Sequence, residues 1–402
     1  MYQRYMHLTG VPAFTSPDGT VYLDALAARD LSRHTYLGAA VRVVCPIVKV
    51  AEPPAGAVAF KQDGFEFVGL PHATSLGRYI ASGCWLRAVW IMWRQLAWPD
   101  IAFIGFVEHP IPYGWTAAPF AALRRVPWYT FIESTPWRVP PGVAPKWRHR
   151  LRAAVAERIN RVLFRRAAFA FVSQPAYAAF LRPSCPYLVS PASWFLRPEM
   201  ATPPQIAAAR SEASDRPPHL MYVGRLDPAK GIELLLSALA RIDAPGVNLT
   251  FTLVGSGQLH PRAAQAGASL QHVQLQLVAP VPYGSEFFQL LRGVDALVVP
   301  SLGDEQPRIV FDAFSQAVPV LASNTSGLRS IVTDGVDGRL VPVGDVGALA
   351  VAMAAFATPA VRAQWIGYGD AGYERALAYD HDVMHAQRAA FISDATRATP
   401  SG

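Results

Sequence analysis

From His219 to Ala357, short apolar runs alternate with stretches whose apolar residues recur at helical spacing, and this limits the fold more than any other feature. His219–Val223, Leu249–Val254 and Ala296–Val299 read as buried strands, with two more at 319–322 and 339–343. Ile232, Leu235, Leu236, Leu239 and Ile242 mark one helix face, and 287–291, Ile309–Phe314 and 348–357 predict further helices. Strands that are apolar throughout, alternating with helices, predict a parallel sheet covered on both faces. In such sheets ligands bind beyond the carboxyl ends of the strands.

The first half predicts the same layout less regularly, with strands at 6–9, 41–47, 101–107 and Trp128–Ile132 and a helix over 21–33. A chain of 402 residues is long for one core, so two doubly wound domains are expected. Pro203-Pro204 and Pro217-Pro218 disfavour continuous helix or strand and predict a linker over 201–218. The expected domains are therefore 1–200 and 219–375, with 376–402 as a C-terminal helix returning to the first.

Only 16% of residues are charged and 51% are apolar, which excludes a disordered chain. The net charge of +7 favours anionic partners. No nucleic-acid-binding motif accompanies it, so nucleic acid is not an expected partner. Cys45, Cys84 and Cys185 are odd in number and lack metal-site spacing, so they read as reduced thiols and no metal is expected. The first residues carry no apolar run of signal-peptide type, and no stretch approaches the ~18–20 apolar residues that cross a bilayer. A cytoplasmic protein, at most peripheral on the inner face of the cytoplasmic membrane, is expected.

The chemistry concentrates between Met221 and Asp312. Gly224, Arg225, Lys230 and Gly231 fall in the turn after the strand His219–Val223. An Arg can fork onto two phosphate oxygens, a Lys supplies a compact charge, and glycines let the backbone approach closely. Asp304-Glu305-Gln306-Pro307-Arg308-Ile309 leads into a helix that carries Asp312. Pro307 suits the first helical position, which would leave the N–H groups of Arg308, Ile309 and Val310 as an anion site. Capping by Asp304 and dipole stabilisation by Asp312 are structural roles compatible with that site. Gly255-Ser256-Gly257 and Ser323-Asn324-Thr325-Ser326-Gly327 add two more loops at the same strand ends. Positive charge for phosphates and carboxylates for hydroxyls are what a nucleotide-sugar site must combine.

The Arg225-to-Lys230 turn, the paired acids Asp304 and Asp312, and Ala317-Val318-Pro319-Val320-Leu321-Ala322-Ser323 resemble the family 4 glycosyltransferases, from about His219 to Ala357. The resemblance implies a GT-B fold, two Rossmann-like doubly wound domains facing each other across a cleft, and retaining transfer from a nucleoside-diphosphate-sugar without a metal. It implies that Arg225 and Lys230 bind the donor diphosphate, that Asp304 contacts sugar hydroxyls, and that Asp312 contacts the ribose. Both acids are Asp where the family usually has Glu, Glu305 is an adjacent candidate, and Arg308 stands where the family often has Gly. Arg329-Ser330 replaces an acid after the later glycine loop. The resemblance also places His109, at a strand end, near the reacting sugar, with Glu133 and Gly10 on the acceptor side.

Residues 146–166 hold eight Lys or Arg against Glu157, with Leu151, Val155, Ile159, Val162 and Leu163 on another helical face. A basic amphipathic helix of this kind suits an anionic membrane surface, although its apolar face is also suited to packing on its own domain. The expected function is sugar transfer to a glycan or to a polyprenyl- or lipid-linked acceptor. A nucleotide-sugar epimerase and a non-catalytic membrane-associated scaffold on the same fold are the alternatives.

Overall fold

A computed structural model of the chain describes residues 2–54, 56–71, 75–106, 111–135, 137–138, 146–181, 185–214 and 216–398. The chain forms two compact units: Met1–Val139, Pro145–Ser190 and His385–Gly402 make one, and Pro140–Ala144 with Pro191–Met384 make the other.

The first unit is built on parallel strands β1 (Tyr2–Leu8), β4 (Gly38–Lys49), β6 (Phe65–Leu70), β7 (Ile101–Ile104), β8 (Trp128–Ile132), β9 (Phe169–Val172) and β10 (Tyr187–Val189). Their order is β6-β4-β1-β7-β8-β9-β10, so the chain reverses direction across the sheet between β1 and β7. Short strands β2 (Ala13–Thr15), β3 (Val21–Asp24) and β5 (Ala57–Ala59) extend the far end of β4. The helix expected over 21–33 starts only at Ala25, because Asp24 ends β3 and accepts hydrogen bonds from the Leu26 and Ala27 N–H groups at 3.0 and 3.3 Å. All three cysteines are free.

A polar network lies inside this unit. The Tyr5 hydroxyl is within 2.9–3.0 Å of His7 Nδ1, His34 Nδ1 and the Tyr129 hydroxyl. Asp30 meets His34 Nε2 at 3.3 Å and His385 Nε2 at 3.0 Å. Burial would raise the Asp30 carboxyl, yet the hydrogen bonds from the two histidines hold it well below the usual carboxylate range.

The second unit is one six-stranded parallel sheet of β11 (His219–Val223), β12 (Leu249–Val254), β13 (Val273–Val278), β14 (Ala296–Val299), β15 (Val320–Ser323) and β16 (Gly338–Val341). Its order, β13-β12-β11-β14-β15-β16, is that of the doubly wound dinucleotide fold. The sheet separates two cores, one around Leu235, Leu239 and Phe251 and one around Phe287, Phe311 and Phe314. β13 escapes a search for apolar runs because Gln274 and Gln276 alternate with Val273, Leu275 and Leu277 along an edge strand.

The linker expected over 201–218 is instead the helix Pro203–Ser214, part of the second unit. Pro203 and Pro204 sit in its first turn, where their missing N–H groups cost nothing. The Thr202 N–H donates to Gln205 Oε1 at 2.9 Å and so closes the entry. Arg210 then ties it to Asp370 of the helix Pro359–Ala376 at 2.6 Å.

The helix Ile309–Phe314 ends in a left-handed turn without glycine: Ala317 has φ 56°. The Ala317 and Val318 N–H groups donate to the Phe314 and Ala313 carbonyls, both at 3.0 Å, which is the closing pattern of a helix that prefers glycine there. Ala317→Gly is therefore expected to raise stability by ~0.5–1 kcal/mol, read as a higher melting temperature in calorimetry. A lower one would show that the methyl packing outweighs the strain.

Candidate functional site

β11 and β14 are neighbours whose following helices leave in opposite directions, which opens a crevice beyond their carboxyl ends. The loop after β11 carries Gly224, Arg225 and Lys230. The loop after β14 carries Asp304 and Glu305. The sheet order thus brings together residues about 80 apart in sequence.

Close backbone approach fixes the loops. Gly231, at φ 76°, leaves no room for a side chain, since a Cβ there would lie 1.9 Å from the Pro300 carbonyl oxygen. The Leu302 N–H donates to the Ala229 carbonyl at 3.0 Å across the same contact. A Cβ on Gly327, in the short helix Ser326–Arg329 after β15, would lie 2.2 Å from the Glu305 carbonyl oxygen. The first loop is also held by the Tyr222 hydroxyl, which donates to the Arg225 carbonyl at 2.8 Å, and by the Leu226 N–H on the Ser256 carbonyl at 2.9 Å.

With the backbone held, the side chains sort by exposure. The Arg225 guanidinium reaches into solvent, its side chain 73% exposed, with Asp227 at 3.4 Å. Lys230 is more enclosed and forms an ion pair with Glu305. Glu305, rather than Asp304, is thus the acid set against the cationic loop. Arg308 lies 5.7 Å from the Trp194 ring and 5.8 Å from the Tyr283 ring.

The acidic segment corrects one expectation. The helix begins at Ile309, not at Pro307, and Val310, Phe311 and Asp312 donate their N–H groups to Pro307 or Arg308 carbonyls. The set of free N–H groups expected at Arg308, Ile309 and Val310 therefore loses Val310. The Gln306 side chain explains the shift. It is buried and accepts the Ala192 N–H on Oε1 at 2.6 Å, which pins the loop just ahead of Pro307.

Asp312 is buried and accepts the Tyr283 hydroxyl at 2.7 Å. Burial, and then the adjacent Asp312 carboxylate, push the Tyr283 phenol far above its ordinary value, so it stays a donor. The side-chain contacts of Tyr283, Gln306 and Trp194 are not legible in the sequence because each acts through a partner distant along the chain. Among the described residues, the buried Ser323 hydroxyl at the carboxyl end of β15 has no hydrogen-bond partner.

In the first unit, Gly10 follows β1 and Glu133 follows β8, both at carboxyl ends of strands. The Glu133 side chain is exposed, and its carbonyl accepts the Ser173 hydroxyl at 3.1 Å. Gly19 closes the hairpin between β2 and β3 at φ 85°. His109 lies outside the described residues. The basic helix runs over Trp147–Phe164 and packs through Ala156, Asn160, Leu163 and Phe164. Trp115 Nε1 donates to Asn160 Oδ1 at 2.8 Å on that face. Trp147, Leu151, Val155 and Val162 are exposed among its arginines.

Two Rossmann-like α/β units, one with a cationic turn and an acidic helix start at the switch point of its sheet, define the class: a GT-B protein. Residues 217–358 match the family described as glycosyl transferases group 1. The chain is 31% identical over 170 residues to a phosphatidyl-myo-inositol mannosyltransferase of Mycobacterium leprae, covering 42% of this chain and 44% of the relative. It is 33% identical over 172 residues to a D-inositol 3-phosphate glycosyltransferase of Kribbella flavida, covering 40% of each. The chain thus spans less than half the length of these curated relatives. A solved sucrose-phosphate synthase of Thermosynechococcus elongatus superposes with a TM-score of 0.72 at 17% identity, over 99% of this chain and all of the other.

Proposed function

We propose that this protein transfers a sugar from a nucleoside-diphosphate-sugar to a glycan or lipid-linked acceptor, with retention of anomeric configuration and without a metal. The observation that carries the reading is the convergence of Arg225, Lys230, Glu305 and Asp304 at the switch point of a doubly wound sheet, with buried Asp312 just behind. Arg225 and Lys230 hold the diphosphate and stabilise the charge that builds on it as the sugar departs. The diphosphate competes with Glu305 for the Lys230 ammonium, which releases Glu305 toward the sugar hydroxyls beside Asp304. Asp312, oriented by Tyr283, takes the ribose. The lipid-linked acceptor is supported by the inositol-lipid substrate in the name of the Mycobacterium leprae relative.

An anionic membrane surface is the proposed location of that acceptor. Support comes from Trp147, Leu151 and Val155, exposed beside Arg148 and Arg152, and from exposed Trp85 and Trp90 on the helix Cys84–Gln95. Among the described residues no single helix is long and apolar enough to cross a membrane.

Calorimetric titration with UDP, GDP and ADP tests the reading. One nucleotide is expected to bind in the micromolar range and to lose at least ~100-fold in affinity in Lys230→Ala, the scale of a charge-assisted diphosphate contact. Silence with all three nucleotides would refute it. Product analysis without acceptor separates transfer from epimerisation, which alone converts the donor unaided.

A further inference from the structure

We propose a second ligand site in the second unit, at the amino ends of its strands, for a small amphiphilic anion with a hydrocarbon body and a carboxylate or phosphate monoester head group. A cavity of about 370 Å³ lies there, within the roughly 300–1,000 Å³ of small-molecule sites. Pro218, Asp295 and Pro319 line it and immediately precede β11, β14 and β15. The cavity is therefore at the opposite sheet end from Arg225 and Lys230, and the proposal stands independently of the transfer reaction.

The wall is mostly aliphatic. Ile206, Ala209 and Ala213 come from the helix Pro203–Ser214, and Ala363 and Ile366 come from the helix Pro359–Ala376. The charge along it is unbalanced. Asp295 is shared by Arg216 and Arg362, each at 2.8 Å, and Arg210 is taken by Asp370. Arg292 also lines the cavity and has no carboxylate partner among the described residues. Its Nη1 donates to Gln316 Oε1 at 2.5 Å, and Gln316 is itself held by the Glu199 carbonyl and the Ser315 hydroxyl at 2.9 and 2.8 Å. Burial lowers the Arg292 pKa, as expected of a guanidinium short of both water and a counter-charge.

An anionic head group supplies that counter-charge through charge-assisted hydrogen bonds to the other guanidinium N–H groups. A hydrocarbon body removes the aliphatic wall from water. A neutral alcohol gains only the second of these, and inorganic phosphate only the first. The ligand class follows from needing both.

The test titrates the full chain with octanoate, octyl phosphate, octanol and inorganic phosphate, each below its micelle concentration, in wild type, Arg292→Gln and Ala213→Trp. At least one octyl anion is expected to bind ten or more times tighter than octanol, with inorganic phosphate silent. Arg292→Gln is expected to remove the preference for the anion, and Ala213→Trp to fill the cavity and abolish binding. The melting curve reports that both variants stay folded. Equal binding of octanol and the anions, binding that survives both substitutions, or no binding of either octyl anion overturns the proposal.

Discussion

Lys230→Ala is expected to lower sugar transfer at least ~100-fold, the scale of removing one preorganised charge at the departing group. Its melting temperature should barely move. The ion pair that Lys230 makes with Glu305 is partly solvated, with the glutamate side chain 48% exposed, and such pairs contribute ~0–1 kcal/mol to stability. The loss therefore reflects the reaction rather than the fold. Lys230→Arg keeps the charge but spreads it over a planar fork, so activity between the two is expected. The check is turnover with the nucleotide-sugar that the titration identifies, beside thermal melts of the same preparations. Near-normal turnover in Lys230→Ala would remove this loop from the mechanism.

A comparable effect is expected from acid alone, in the first unit. His385 is buried against Asp30 and the Tyr36 hydroxyl, and burial brings its pKa down to about 4, even though Asp30 pulls the other way. His7 stacks on Phe103 at 4.6 Å, and burial together with the nearby His34 brings it down to about 3. Both folded values lie below the ~6.5 of an exposed histidine, so the unfolded chain binds more protons in between. Stability is then complete above pH 7 and falls as the pH drops through 6.5 toward 4. Each histidine costs about 2 kcal/mol between pH 7 and 5, at roughly 1.4 kcal/mol per pH unit. Chemical denaturation at pH 7, 6 and 5 measures the slope, and His385→Gln should remove about half of it. A midpoint independent of pH over this window would mean that the network accepts protons when folded.

The legibility of the second unit has a local cause. Its central strands are covered on both faces, so each one reads as an apolar run, and His219–Val223, Leu249–Val254 and Ala296–Val299 stand in the structure with the bounds the sequence predicts. The helix Ile232–Ile242 is legible for the matching reason, a single apolar face repeated at 3.6 residues. Legibility drops where cover drops. The edge strand β13 carries glutamines, the strand β3 hides in front of a capped helix, and two prolines that read as a linker begin the helix Pro203–Ser214.

In the candidate site the sequence supplied the loops and their charges, because glycine, arginine and lysine beside a strand end are visible within ten residues. It did not supply their pairing. Glu305 meets Lys230 across 75 positions, Gln306 meets Ala192 across 114, and Tyr283 meets Asp312 across 29. None of these distances has a periodicity to betray it. The same holds for Asp30 and His385, 355 positions apart. By itself, then, the sequence determined which segments become strands and helices and which strand ends carry charge, since burial and backbone propensity act over one or two turns. Only the tertiary structure decided where the helix after Pro307 starts, which acid faces the lysine, and that Arg292 keeps no carboxylate partner among the described residues, because each depends on groups that the order of strands in the sheet makes neighbours.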